Sequence, residues 1–156
     1  MLSLQEISDR LEIQDLLTRY CYAIDDADFD ALDTVFTPGA TIDYTESGGA
    51  KGTLAEIKRW LPIALAGPIP RYQHMISTSE IKLDGDRATS RTILFNPLVY
   101  PRADGVDQVF FIGLWYRDEL VRTTEGWRIT SRCQEMAYSH NVPENLPPAP
   151  EIPPAL

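Results

Sequence analysis

Apolar residues recur at three- and four-residue spacings at the start of the chain. Leu4, Ile7, Leu11, Leu17, Cys21 and Ile24 form one stripe and predict an amphipathic helix over residues 4–24. Asp28 can cap a second short helix containing Phe29, Leu32 and Phe36, with Pro38-Gly39 ending it. The run from Ala40 to Thr45 alternates polar and apolar side chains and reads as a strand. Thr53 and Glu56 have the spacing of a capping box, opening a helix through about Leu65 that Gly67-Pro68 and Pro70 break.

The pattern then changes period. His74 to Leu83 and Ala88 to Tyr100 flank Asp84-Gly85-Asp86, a hairpin signal. Gln108 to Arg122 is apolar and aromatic, and Thr124-Glu-Gly126 turns it into Trp127 to Tyr138. Long strands joined by short polar turns predict an antiparallel meander. Helices followed by such a sheet make an α+β domain over residues 1–141, a cone-shaped α+β barrel whose curved antiparallel sheet wraps the N-terminal helices. Mouths of such barrels favour small ligands. Six of the twelve prolines fall between Pro143 and Pro154, so residues 142–156 are expected to be an extended tail, able to pack across a neighbouring subunit.

Composition narrows the partners. A net charge of −9 with no basic run disfavours nucleic acid and anionic membranes. No apolar run approaches the roughly 20 residues of a membrane span, and the N-terminal residues lack a signal-peptide pattern, so a cytoplasmic protein is expected. Cys21 and Cys133 are the only cysteines and the chain has two histidines, too few for a disulfide framework or a structural zinc site. No phosphate loop or flavin fingerprint is visible, so no cofactor and no metal are expected. Trp115, Tyr116 and Trp127 cannot all line one small pocket, which suggests an exposed sheet back with many aromatics and a homo-oligomer, a trimer being favoured.

A few polar residues stand where apolar ones would cost less. Asp25 and Asp26 end the first helix, where the macrodipole disfavours negative charge by a few tenths to about 1 kcal/mol. His74 opens an apolar, β-branched strand. A carboxylate on one of its ring nitrogens would leave the other as an oriented base, and Asp25 is the carboxylate of choice. Tyr20 and Tyr44 can donate hydrogen bonds to a substrate oxygen. Arg132 shares strand parity with Arg128 and Thr130, opposite Ile129 and Cys133, which places it on a solvated face unless a bulge intervenes.

The segment from Tyr20 through Asp25 to Asp30 carries a family resemblance, together with Phe36-Thr-Pro38, Ile42-Asp-Tyr44, Tyr72-Gln-His74, Asp84-Gly-Asp86 and Gly126-Trp127. The chain resembles, over about residues 5 to 140, the polyketide cyclase SnoaL-like branch of the nuclear transport factor 2-like superfamily. Scytalone dehydratase in that branch has an aspartate, a tyrosine and a histidine matching Asp25, Tyr44 and His74. Its second histidine is replaced near Pro97-Leu98, and its pocket asparagine near Ile112. Bile acid 7α-dehydratase is similar through Tyr20, Asp25, His74 and Arg132, and hexachlorocyclohexane dehydrochlorinase through Asp25, His74 and Arg132. The resemblance implies a cofactor-free elimination on a small hydrophobic cyclic, polyketide or steroid-like substrate. His74 would be the base, Asp25 its partner, Tyr20 or Tyr44 the donor to a carbonyl or leaving group, and Arg132 the stabiliser of negative charge. Phe95, Leu98, Phe110, Ile112 and Leu114 are the expected apolar wall. A ketosteroid isomerase-like activity, a non-catalytic small subunit of an aromatic-ring dioxygenase and a ligand-binding module are the alternatives.

Overall fold

The computed structural model describes residues 1–67 and 69–155. Helix α1 spans Leu4–Asp25 and opens on a capping box in which the Ser3 hydroxyl accepts from the Glu6 N–H and the Glu6 carboxylate accepts from the Ser3 N–H. Leu17, Cys21 and Ile24 of the expected stripe face inward, and the earlier three do not. Asp9, Ile13, Leu16, Leu17, Tyr20, Cys21 and Ile24 are buried, whereas Leu4, Ile7 and Leu11 are exposed; Leu11, between the buried Asp9 and Ile13, is on the opposite face of the helix. A 3₁₀ turn, Phe29–Thr34, follows, capped by Asp28. Phe36 does not belong to it. Strand β1, Phe36–Asp43, starts there and carries Pro38-Gly39 inside it, where pairing with the neighbouring strand slips between Phe36 and Thr41. A proline without an N–H is tolerated at such an irregularity.

Strand β2 is Lys51–Thr53, and helix α2, Leu54–Ala66, opens on the Thr53–Glu56 capping box. Of the break expected after α2, Pro68 lies outside the described residues. Strand β3, Arg71–Tyr72, and β4, Met75–Asp84, both pair with β5, Arg87–Pro101; β6 is Asp107–Thr123 and β7 is Gly126–His140. The path through the sheet is β2-β1-β7-β6-β5-β3, with β4 also on β5. The hairpin at Asp84-Gly85-Asp86 is present, with Gly85 at φ 57°, the left-handed region a glycine enters without steric cost. One pairing departs from an all-antiparallel sheet: β1 runs parallel to β7, so the curled sheet is mixed. Helices α1 and α2 fill its concave side, and Ile13, Leu16, Phe36, Ile57, Trp127 and Ile129 are among the most deeply buried core residues.

The foot of α1 is held to the sheet by Arg10, which donates to the Ile81 carbonyl (2.9 Å), and by the Asp9 carboxylate. Asp9 is 3% exposed and accepts from both terminal nitrogens of Arg122 (2.5 and 2.7 Å), from Trp127 Nε1 (3.2 Å) and from Gln5 Nε2 (3.0 Å). The Arg122 hydrogen bonds hold its pKa down at about 2. A depressed carboxylate pKa contributes stability that is complete above the unfolded value and is lost as pH falls through the folded one. The drop from 3.8 to about 2 corresponds to about 2 kcal/mol. Urea unfolding at neutral pH and near pH 2 should therefore show Asp9→Asn losing less stability on acidification than the parent, by roughly that amount. Equal acid losses in the two proteins would refute this.

Candidate active site

The break between β3 and β4 makes the site. Both strands lie along the same edge of β5, and Gln73 and His74 fall between them. The apolar pattern starts the strand at His74; the ladder instead resumes at Met75, leaving the His74 N–H free of strand pairing. That N–H donates to both carboxylate oxygens of Asp25, the last residue of α1, at 3.1 and 2.9 Å, and His74 Nδ1 lies 2.6 Å from Asp25 Oδ1. These contacts offset the unfavourable placement of a carboxylate at a helix C-terminus. The surroundings brace the pair. Tyr72 donates from its hydroxyl to the Ile24 carbonyl (3.1 Å), and the Asn96 amide donates to the Gln73 carbonyl (2.8 Å). The rings of Tyr20 and Tyr72 meet the imidazole edge-on, at 6.1 and 6.0 Å. His74 Nε2 has no hydrogen-bond partner among the described residues, and the side chain is at the wall of a cavity of about 180 Å³.

Tyr20, Tyr44, Leu98, Phe110 and Ile112 also line this cavity, as the sequence suggested. Two expected wall residues do not. Phe95 has the opposite strand parity to Asn96 and Leu98, and stacks on Phe111 at 5.3 Å away from the cavity. Leu114 is buried in the core opposite its cross-strand partner Leu94. Asp25 stands behind His74 rather than at the cavity surface.

For Arg132 a bulge does intervene. Pairing of β6 with β7 steps from Glu119–Ser131 to Leu120–Ile129, so Thr130 is an extra residue. This bulge reverses the parity beyond it and turns Arg132 inward, where it is 1% exposed. It does not reach the cavity wall. Its guanidinium lies 4.0 Å from the Tyr20 ring and 4.1 Å from the Tyr116 ring, and forms a two-point ion pair with Asp118 at 2.7 and 2.8 Å. In front of it the Tyr20 and Tyr44 hydroxyls meet at 2.7 Å. Burial pushes the pKa of both phenols up, so both stay protonated as donors.

Several wall residues were not singled out from the sequence: Trp60, Leu61 and Ala64 of α2, Tyr72, Asn96, Tyr116 and Gln134. Asn96 carried a usable signal, an amide at the inward parity of a strand between Leu94 and Leu98. The proline tail lines the cavity of its own chain, through Leu146 to Pro150. Side chains of the domain donate to three of its carbonyls: Tyr100 to Asn145, Trp60 to Pro150 and Arg59 to Pro153. Among the described residues no group of three or more His, Cys, Asp or Glu side chains is placed to hold a metal ion, and no helix is long and apolar enough to cross a membrane.

Comparison with known proteins places this arrangement. Uncharacterised proteins of Mycobacterium tuberculosis and Mycobacterium bovis are 51% identical over 138 residues, covering 88% of this chain and 92% of theirs. The crystal structure of a Kribbella flavida protein is 29% identical with a TM-score of 0.77, over 86% of this chain and 94% of that one. The same fold occurs at 14% identity in the type 3 hexachlorocyclohexane dehydrochlorinase of Novosphingobium barchaimii, with a TM-score of 0.75 over 97% of this chain and 99% of that one. It occurs again in a nuclear transport factor 2-like superfamily protein of Salmonella enterica, at 17% identity and a TM-score of 0.71 over 88% of this chain and 97% of that one. The architecture is thus the cone-shaped α+β fold of that superfamily. The profile of the SnoaL-like domain matches residues 5–133, a span holding both halves of the Asp25–His74 pair and the bulge that buries Arg132, and the chain belongs to that family.

Proposed function

We propose that the protein is a cofactor-independent lyase that eliminates water, or a comparable leaving group, from a small cyclic carbonyl compound. The observation that carries this reading is the Asp25–His74 contact at the wall of a mostly apolar cavity, with the paired Tyr20 and Tyr44 hydroxyls lining the same space. The cavity volume, about 180 Å³, compares with the roughly 150 Å³ that accommodates benzene, so a single-ring substrate suits it better than a steroid.

In this reading His74 Nε2 removes a proton from the carbon next to the carbonyl. Its electron pair passes into an enolate, whose oxygen is held by the Tyr20–Tyr44 pair. As the enolate collapses, the new C=C bond forms and the bond to the β-hydroxyl breaks. The departing oxygen takes the proton from the imidazolium, so that water leaves and the base is restored. Asp25 stabilises the imidazolium between the two transfers. The dehydrochlorinase that shares the fold is named for an elimination, the loss of hydrogen chloride, which supports the reaction class.

Incubation with a panel of small cyclic β-hydroxyketones tests it directly. The expected product has lost one water by mass spectrometry and absorbs as a conjugated enone. A product of unchanged mass would replace elimination with a ketosteroid isomerase-like reaction. Saturable binding with every ligand recovered unchanged would leave a binding module.

A further inference from the structure

The Gln73–His74 peptide is held from both sides. Its N–H donates to Asp25 at 2.9 Å, and its carbonyl accepts from Asn96 Nδ2 at 2.8 Å. Asn96 is on β5, opposite Ile112, and is 7% exposed. It lines the cavity together with His74. An amide at the inward parity between Leu94 and Leu98 is costly to bury unless both of its ends are answered. The Gln73 carbonyl can only accept, so Nδ2 is the end that meets it and Oδ1 is the end left over. Oδ1 makes no hydrogen bond among the described residues, yet it is not one of the buried atoms that lack a partner. It therefore meets open space, which for this residue is the cavity.

Neighbouring groups on the wall are committed elsewhere. The Tyr72 hydroxyl donates to the Ile24 carbonyl, and the Gln134 amide oxygen accepts from the Ser47 hydroxyl. His74 Nε2 can accept, but as the base it faces a carbon-bound proton and cannot also hold a hydroxyl. Oδ1 of Asn96 is thus an acceptor placed next to the base and waiting for a donor from the ligand. A ligand O–H satisfies it. A halide has no proton to offer, and would leave this oxygen unpaired and facing a second electron-rich atom.

We propose that Asn96 recognises the leaving group: its Oδ1 accepts the hydrogen of a ligand hydroxyl, and the site is built for the loss of water rather than of a halide. This rests on the elimination reading for the identity of the site, and adds to it the leaving group and the residue that selects it. In that reading the departing oxygen takes a proton from His74 Nε2. With its own hydrogen directed to Asn96, the hydroxyl oxygen turns its lone pairs towards the imidazolium. The C–O bond breaks with its electron pair passing to oxygen, the proton from Nε2 joins that oxygen, and water leaves still hydrogen-bonded to Oδ1.

The test uses binding of phenol and fluorobenzene, which have nearly the same shape and cannot undergo elimination. Titrated calorimetrically into the full-length protein, phenol should bind roughly 3- to 10-fold more tightly, the worth of one hydrogen bond between neutral groups. Asn96→Leu, similar in volume but without an acceptor, should bring the two affinities together by weakening phenol alone. Asn96→Ala makes the same comparison if circular dichroism shows that leucine disturbs the fold. Asn96→Asp keeps an acceptor and should retain the preference, and so should His74→Ala. If Asn96 merely braced the Gln73 carbonyl, its replacement would weaken both ligands alike, and that result overturns the assignment. Equal affinities in the parent overturn it too, as does a preference that Asn96→Leu keeps and His74→Ala removes. Failure to find turnover on β-hydroxyketones bears on the elimination alone, and loss of the phenol preference bears on Asn96 alone.

Discussion

Replacing His74 by alanine is expected to lower turnover by roughly 10²–10⁴-fold, the usual cost of removing a general base. The variant should fold, because His74 is on a connection between β3 and β4 rather than in the ladder, and its backbone N–H can still donate to Asp25. Ligand affinity should change little. Added imidazole should restore part of the rate, since the space left open adjoins the cavity. Asp25→Asn should cause a comparable loss by another route. An amide can accept from the His74 N–H, but it cannot stabilise an imidazolium, and it favours the tautomer with the proton on the wrong nitrogen. Tyr44→Phe should cost less, because Tyr20 remains to donate. Steady-state kinetics on any substrate turned over by the parent decides the matter. Full turnover by His74→Ala would remove the base from the mechanism and move the function towards binding.

The parts of this site legible in the sequence are those with a local signature. The capping box at Thr53 and Glu56 and the hairpin glycine at Gly85 depend on a few adjacent residues, and both are in place. Asp25 and His74 could be singled out because each is costly where it stands, one at a helix C-terminus and the other in an apolar run, and the family register brought them together. What escaped depends on partners far along the chain. The parallel pairing of β1 with β7 joins segments about ninety residues apart and leaves no periodicity to read. Leu4, Ile7 and Leu11 have the spacing of a buried stripe, but they are exposed, and the helix turns Asp9 and Ile13 to the sheet instead. The buried face at that end instead includes Asp9, a residue no hydrophobic pattern selects, because Arg122 and Trp127 supply its partners from more than one hundred residues away. The tail could be read as extended, but not as part of the wall of its own cavity, since the acceptors it offers are backbone carbonyls common to any sequence.

The bulge at Thr130 has a consequence for stability as large as that of His74 for rate. Arg132 and Asp118 are both 0% exposed as side chains, so each is the other's compensation for leaving water. Removing one partner strands the other as an unpaired buried charge, which typically costs about 3–5 kcal/mol. Arg132→Met and Asp118→Leu should each lower the melting temperature by roughly 6–20 °C, at about 2–4 °C per kcal/mol for a domain of this size. Combining them should recover most of the loss, because replacing both ions with apolar groups of similar volume is often neutral or stabilising. Recovery should stop slightly short, since Ser90 would lose its acceptor on Asp118, worth about 1 kcal/mol. Thermal unfolding of the parent, the two single variants and the double variant forms a complete cycle, and the expected coupling is strongly favourable. Additive losses would mean that the two side chains are stabilised independently, and would contradict a pair buried by the register shift at Thr130.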